Sequence, residues 1–561
     1  MRFVFGSLVL GLLISGLNNG IMRSQAAPPP SVAGHLAPPK VSCGIDRNPP
    51  SDADLALSRE DYGAATDLFT RRVTTDPVAS KLGLIRVLIE QNQFLQAEAK
   101  AQAWIDSADA AENDPKQPDS PLDQAAAAEA MGEALYRAGE LPRAFEQAGK
   151  ALKLDPCYAQ SYLLAARVER LTSDDALAVK RIQVAHTLKP NDLQIHRAWM
   201  GTLSRRQRLA EQSALLKDGK ALNDKDKAQL EEALAHAGDY ARNDCRLVTP
   251  VDAAKFKIVP ILDGPNRREG LALDVSFNGK QRRLEIDTGA SGILLTHGAA
   301  SGLGLVEGQK LEAGGVGDQG RVASAIAHVA SVKIGGLEFE NCPVEYLAKR
   351  GKLEIDGLIG ANVFSHWIVT LDYPDLEMRI DPLPKRPETT VAAVATNGTT
   401  DKNSQDPEDR PPVVHNRSIA PEMKDWQPVF RYRHEILLPV SLNGSKEKLF
   451  LVDTGAGLMS ISPAAAREVT KVSGDSSMHV YGISGEVEKV LATEDFTLTF
   501  AHLRQMVRSM TAFDTTMISH DAGIEISGFL GAPILNRLTV HIDYRDNLIK
   551  FDYDPRKDPV H

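Results

Sequence analysis

No uncharged apolar run after the first 26 residues approaches the ~20 residues that a membrane-crossing helix requires, so no internal span is expected. Positive charge is in deficit. There are 64 Lys and Arg against 74 Asp and Glu, a net charge of −10, which argues against the basic face a nucleic-acid partner needs. Cysteine is scarce: Cys43, Cys157, Cys245 and Cys342 are far apart and form no Cys-x-x-Cys pair. That removes the usual metal-binding and thioredoxin-type patterns, and no metal or cofactor is expected. His-Glu-x-x-His, Gly-Lys-Ser/Thr and Gly-x-Ser-x-Gly are all missing, which leaves zinc-protease, phosphate-loop and serine-hydrolase chemistry without residues.

What is present is 561 residues, 43 % hydrophobic and 25 % charged, an ordinary globular composition too long for one core. Residues 1–26 read as a signal peptide. Arg2 precedes the uncharged, mostly apolar run Phe3–Leu17, and Ser24-Gln25-Ala26 puts small residues at −3 and −1 of a cut after Ala26. An exported protein, periplasmic or extracellular, is expected. In that setting one or two disulfides can form, although four cysteines permit three pairings and the sequence does not choose among them. Residues 27–50 hold three proline clusters and read as an extended leader.

Residues 51–248 are helical in pattern. Pro156 and Pro190 lie 34 residues apart, and small residues recur before each: Gly132, Ala144 and Ala151, then Ala166, Ala178 and Ala185. The segment resembles tetratricopeptide repeats, four to five units long, which implies a surface for a protein partner or a packing platform. It carries no catalytic motif. A chain starting near Lys255 is therefore expected to work without it.

The remaining half is duplicated. Leu284-Glu285-Ile286-Asp287-Thr288-Gly289-Ala290 returns as Phe450-Leu451-Val452-Asp453-Thr454-Gly455-Ala456. Each copy is preceded by an alternating strand and Asn-Gly, the hairpin signal, at Asn278-Gly279 and Asn443-Gly444. Each is followed by a matching apolar-Gly run, Leu358-Ile359-Gly360 and Phe529-Leu530-Gly531. Positions 356–381 align with 527–552 without a gap. Two lobes are expected, at 255–382 and 429–555, with a polar, Pro-rich disordered linker at 383–428 between them. About 44 flexible residues span roughly 35–40 Å, enough for the lobes to meet within one chain.

These motifs resemble those of the retropepsin-like aspartic proteases over about 300 residues. The resemblance implies a mainly-β fold for both lobes and an endopeptidase whose substrate is a polypeptide. Asp287 and Asp453 would be the catalytic pair. Like charges held together cannot both ionise, so one carboxyl can activate water while the other protonates the carbonyl oxygen. Thr288, Gly289, Ala290, Thr454, Gly455, Ala456, Gly360 and Gly531 would support the pair. The flaps that close over the substrate would hold Gly314, Gly315 and Gly317 in one lobe, Gly482 and Gly485 in the other. Gly-x-Gly-x-x-Gly within 315–320 is not read as a nucleotide site, since Arg321–Ile334 looks extended where a helix is needed. Retroviral relatives carry an acidic residue where this chain has Ser291 and Gly457. The competing reading is a non-catalytic peptide-binding scaffold on the same lobes and repeats.

Overall fold

The computed structural model describes residues 22–23, 42–112, 121–235, 245–249, 251–263, 267–305, 309–349, 355–386, 412–474 and 478–558. An all-α half is followed by two mainly-β lobes. The expected signal peptide lies outside the described residues except for Met22–Arg23, which pairs with Leu503 and Arg504 at a sheet edge.

The helices run in successive pairs: α1 (Asp52–Ser58) and α2 (Tyr62–Arg71), α3 (Pro77–Glu90) and α4 (Phe94–Glu112), α5 (Pro121–Arg137) and α6 (Leu141–Leu154), α7 (Ala159–Leu171) and α8 (Asp175–Leu188), α9 (Leu193–Met200) and α10 (Arg205–Asp218), then α11 (Asp224–Ala235). Their starts follow capping chemistry. Ser51, Asp61, Asp76 and Asp192 each accept a backbone N–H of the first turn. Pro156 and Pro190 fall just beyond α6 and α8, where no helix N–H is required. Ala144, Ala151, Ala166, Ala178 and Ala185 are fully buried, so small residues let paired helices approach closely. Of the Pro-rich leader, residues 42–50 are described, and they run without helix or strand. Cys43 is bonded to Cys157, and Asp46 N donates to Leu188 O.

In lobe one, strand Arg267–Phe277 turns at Asn278-Gly279 into Lys280–Asp287. Both turn residues have positive φ, 49° and 84°, which suits Asn-Gly. Strand Gly357–Gly360 runs parallel behind the second strand, Gly360 level with Asp287. Lobe two repeats the plan. Glu435–Leu442 pairs with Glu447–Val452, and Gly528–Leu530 runs parallel behind it. The lobes share a six-stranded sheet in which Trp367–Asp372 lies antiparallel to Thr539–Asp543, and one apolar core runs through both. The second disulfide, Cys245–Cys342, ties the chain leaving the helices to lobe one.

Two features depart from expectation. The linker was expected to be disordered over 383–428; residues 387–411 lie outside the described residues, but 412–428 follow a defined path. Arg386 and Ser418, on either side, both bond Asp546, which is completely buried. Ala176 N and Leu177 N of α8 donate to His415 O and Asn416 Oδ1. The helical half is also not a separate body. Leu135, Leu141, Leu164, Val168 and Leu171 share a core with Phe430, Leu437, Leu449, Leu451, Ile526 and Phe529 of lobe two. Polar contacts seal the seam: Glu525 N donates to Arg137 O at 2.7 Å and Asn547 Nδ2 to Leu171 O at 3.1 Å.

Candidate active site

Strand alternation aims the aspartates. Along Lys280–Asp287, Leu284 and Ile286 point into the core and are essentially unexposed. Asp287 therefore faces the other side, at the strand's end. Phe450 and Val452 do the same for Asp453. Each Asp-Thr-Gly then folds back on itself: Gly289 N donates to Asp287 Oδ1 at 2.7 Å, and Gly455 N to Asp453 Oδ1 at 2.9 Å.

The two loops meet. A Cβ on Gly455 would stand 2.6 Å from Asp287 Cγ, and one on Gly289 would stand 3.1 Å from Asp453 Oδ2. At Gly455 there is no room for a side chain beside the other loop's carboxyl, and at Gly289 the fit is tight. Between them Thr288 and Thr454 exchange bonds. Thr288 Oγ1 donates to Val452 O at 2.6 Å and accepts from Thr454 N at 3.1 Å. Thr454 Oγ1 donates to Ile286 O at 2.7 Å and accepts from Thr288 N at 3.0 Å. Both threonines are about 1 % exposed, so these bonds have no competition from water. Ala290 N and Ala456 N close the loops onto Asp287 O and Asp453 O. Gly360 N donates to Gly292 O, and Ala532 N, beside Gly531, to Ala456 O, which anchors each loop to the strand behind it.

Burial pushes both aspartate carboxyls above the usual carboxylate range. The adjoining Asp287 charge pushes Asp453 well above it, whereas the Gly289 N–H draws Asp287 back down. Two acids that act on each other in this way titrate as a pair.

The expected flap residues of the two lobes meet each other. Gly314, Gly315 and Gly317 lie in the turn between strands Gln309–Ala313 and Val322–Ile334, so the glycine cluster leads into a strand and not a helix. Gly482 and Gly485 lie in the short hairpin Tyr481–Glu486. The tips are bonded to each other: Ser484 N donates to Val316 O at 3.0 Å, Gln319 N to Ser484 O at 2.9 Å and Gly315 N to Ser484 Oγ at 3.2 Å. Gly317 has φ 128°, and a Cβ there would lie 2.4 Å from the Ser484 carbonyl, so the contact needs glycine.

Residues 273–363 match the model of the aspartyl protease family. That segment contains Asp287 and Gly360. A crystal structure of a retropepsin-like aspartic protease from Rickettsia conorii aligns at 22 % identity, covering 96 % of that chain and 24 % of this one, with a TM-score of 0.19. No curated protein matches the chain.

Several residues around the pair carry no motif. His434 Nε2, from lobe two, lies 3.0 Å from Gly289 O in lobe one. Ser484, completely buried between the flap tips, also carries no motif. Glu285 and Glu269 also crowd the pair, and burial pushes Glu285 up to about 9, with Asp287, Asp453 and Glu269 adding to the rise. The one available sequence signal was Glu285 itself, an acid two residues before Asp287 and on the same strand face.

Proposed function

We propose that the chain is an exported aspartic endopeptidase in which Asp287 and Asp453, one from each lobe, activate water for attack on a peptide bond. The observation that carries this reading is the opposed pair of Asp-Thr-Gly loops, cross-bonded through Thr288 and Thr454. One ionised carboxyl takes a proton from water as it attacks, and its protonated neighbour donates to the carbonyl oxygen. Rigid threonine bonds keep the carboxyls placed before substrate arrives.

Domain limits of 51–248, 255–382 and 429–555 suit this reading, as do two disulfides for an exported chain. Among the described residues no helix is long and apolar enough to cross a membrane. The helical half serves first as a platform for lobe two. A protein partner would use what remains, including a cavity of about 590 Å³ lined in part by Arg86, Tyr158 and Asp192. The test is hydrolysis of an unfolded protein or peptide library by purified full-length protein. Cleavage that disappears in Asp287→Asn and in Asp453→Asn supports the endopeptidase. Binding without cleavage in the native protein establishes the non-catalytic alternative.

A further inference from the structure

The duplication supplies an internal control, because each residue beside one aspartate has a counterpart beside the other. Strand pairing sets the correspondence. Ala272 faces Glu285 in lobe one, and Leu437 faces Leu451 in lobe two. Glu285 therefore corresponds to Leu451, Gly270 to Glu435, and Glu269 to His434. The surroundings of the two copies differ in kind. Leu451 is buried in the core shared with the helices. Glu285 has no such cover and shares the side of its strand that leads to Asp287.

The Glu285 carboxyl has a shaped place. It occupies the space over Gly270, where a Cβ would stand 2.2 Å from Oε1. No described residue gives it a hydrogen bond or ion pair. Glu269 lies beside it and reaches across the lobe boundary. Its Oε1 is 3.5 Å from where a Cβ on Gly457 would be. Gly457 follows Asp453-Thr454-Gly455-Ala456, so Glu269 brings a carboxyl from lobe one to the end of the lobe-two loop.

We infer that Glu285, with Glu269 beside it, is the specificity-determining wall of the cleft and receives a lysine or arginine side chain of the bound polypeptide next to the scissile bond. This rests on the endopeptidase reading for the cleft, not on the acids alone. An apolar side chain placed there would seal a carboxyl away from water without a partner, which is costly. An acidic one would add a further like charge. A basic one supplies the missing partner and offsets the mutual repulsion of the carboxyls. In the empty cleft Glu285 holds its proton through neutral pH. A bound ammonium or guanidinium favours the ionised form, so a basic side chain binds with release of that proton. The preference for a basic residue should therefore widen as pH rises.

The experiment uses full-length protein and peptides whose scissile link is a non-hydrolysable hydroxyethylene group. Each pair differs only by lysine or norleucine at one of four positions on either side of that link. Binding is measured at pH 5 and pH 8. The effect of pH on the aspartate pair is common to both members and drops out of the ratio. At one position the lysine peptide is expected to bind at least tenfold tighter at pH 8, with a smaller ratio at pH 5. Glu285→Leu should abolish the ratio, and the near-isosteric Glu285→Gln should do the same should the leucine variant misfold. No lysine preference at any position, or one that survives Glu285→Gln and Glu269→Gln, overturns the inference. Cleavage of the matching amide peptides is read separately. A lysine preference without cleavage counts against hydrolysis and leaves the subsite standing; cleavage without a preference does the reverse.

Discussion

Thr370 Oγ1 lies 2.9 Å from His541 Nδ1, and these two residues are the same position in the two copies of the duplication. They face each other at the centre of the strand pair that joins the lobes. In a symmetric dimer a residue on the axis meets its own twin. Here a hydroxyl meets an imidazole, so one partner can donate while the other accepts. The sheet is built for two unlike halves. If that pairing forms within each chain, Asp287→Asn and Asp453→Asn should each abolish cleavage, and mixing the two folded variants should restore none. Activity per chain should stay constant on dilution, because a tethered lobe sits at roughly millimolar effective concentration. Recovery of activity on mixing, or loss on dilution, would show pairing between chains.

The aspartate pair predicts a bell-shaped pH dependence. Both carboxyls are raised, so the shared proton is retained closer to neutral pH than isolated aspartates would allow. Activity should fall on the acid side as the pair gains a second proton, and on the alkaline side as it loses the first. A rate independent of pH from 3 to 9 would contradict the pair.

Stability should show a separate pH signature. Glu285 has a folded pKa of about 9, above its unfolded value. Its contribution is therefore fully present below about pH 4.5 and is lost as pH rises toward 9. Glu435, raised to about 7 by burial, acts in the same direction over a narrower window. Glu285→Gln cannot ionise and should raise the melting temperature at pH 8 by several degrees, with little change at pH 4.5. Equal shifts at both pH values would mean that the glutamate acts through shape alone.

Thr288→Val and Thr454→Val should damage folding and catalysis together. Each deletes a hydroxyl that donates to a carbonyl of the opposite lobe and accepts an N–H from that same opposite lobe. Leaving such buried groups unpaired costs about 1–3 kcal/mol each. Thr288→Ser keeps the hydroxyl and should retain most activity. Thermal melting and kcat measured side by side would separate valine from serine.

A fragment beginning near Lys255 is not expected to behave as an independent enzyme. It lacks Cys245, which is bonded to Cys342, and strand Arg246–Leu247, which pairs with Phe339 and Glu340. It also bares Leu437, Leu449, Leu451 and Phe529. Such a patch should drive aggregation or binding of a hydrophobic dye. In the intact chain, Leu451→Ala should cost about 2–5 kcal/mol. A soluble, monomeric fragment with native activity would show that the helices are dispensable.

The parts readable in advance were those with a local signature. Asn278-Gly279 and Asn443-Gly444 announce their hairpins, since few other pairs accept two positive φ values in succession. The repeated Asp-Thr-Gly announces the loops. The family match stops at residue 363, and lobe two was legible through its likeness to lobe one. What stayed hidden depends on distant partners. Leu449 reads as an ordinary strand residue, and nothing near it in the chain mentions Gly139, whose added Cβ would lie 3.3 Å from it. His415 and Asn416 sit in a polar, Pro-rich stretch, yet α8 holds them in place. The exchange between Thr288 and Thr454 could be drawn only from the resemblance.

One strand face is written differently in the two copies: Arg283 and Glu285 in lobe one, Leu449 and Leu451 in lobe two. In an assembly of identical subunits every substitution is made twice. A leucine that receives a helix on one half would then be a bare leucine on the other. Fusion into a single chain removes that coupling, and each copy can acquire a surface the other could not tolerate. The fused halves have consequently lost their interchangeability. Transplanting the strand of one lobe into the other would bury an arginine and a glutamate under the helices, or leave a leucine in water in place of Arg283, although both strands end in the same aspartate.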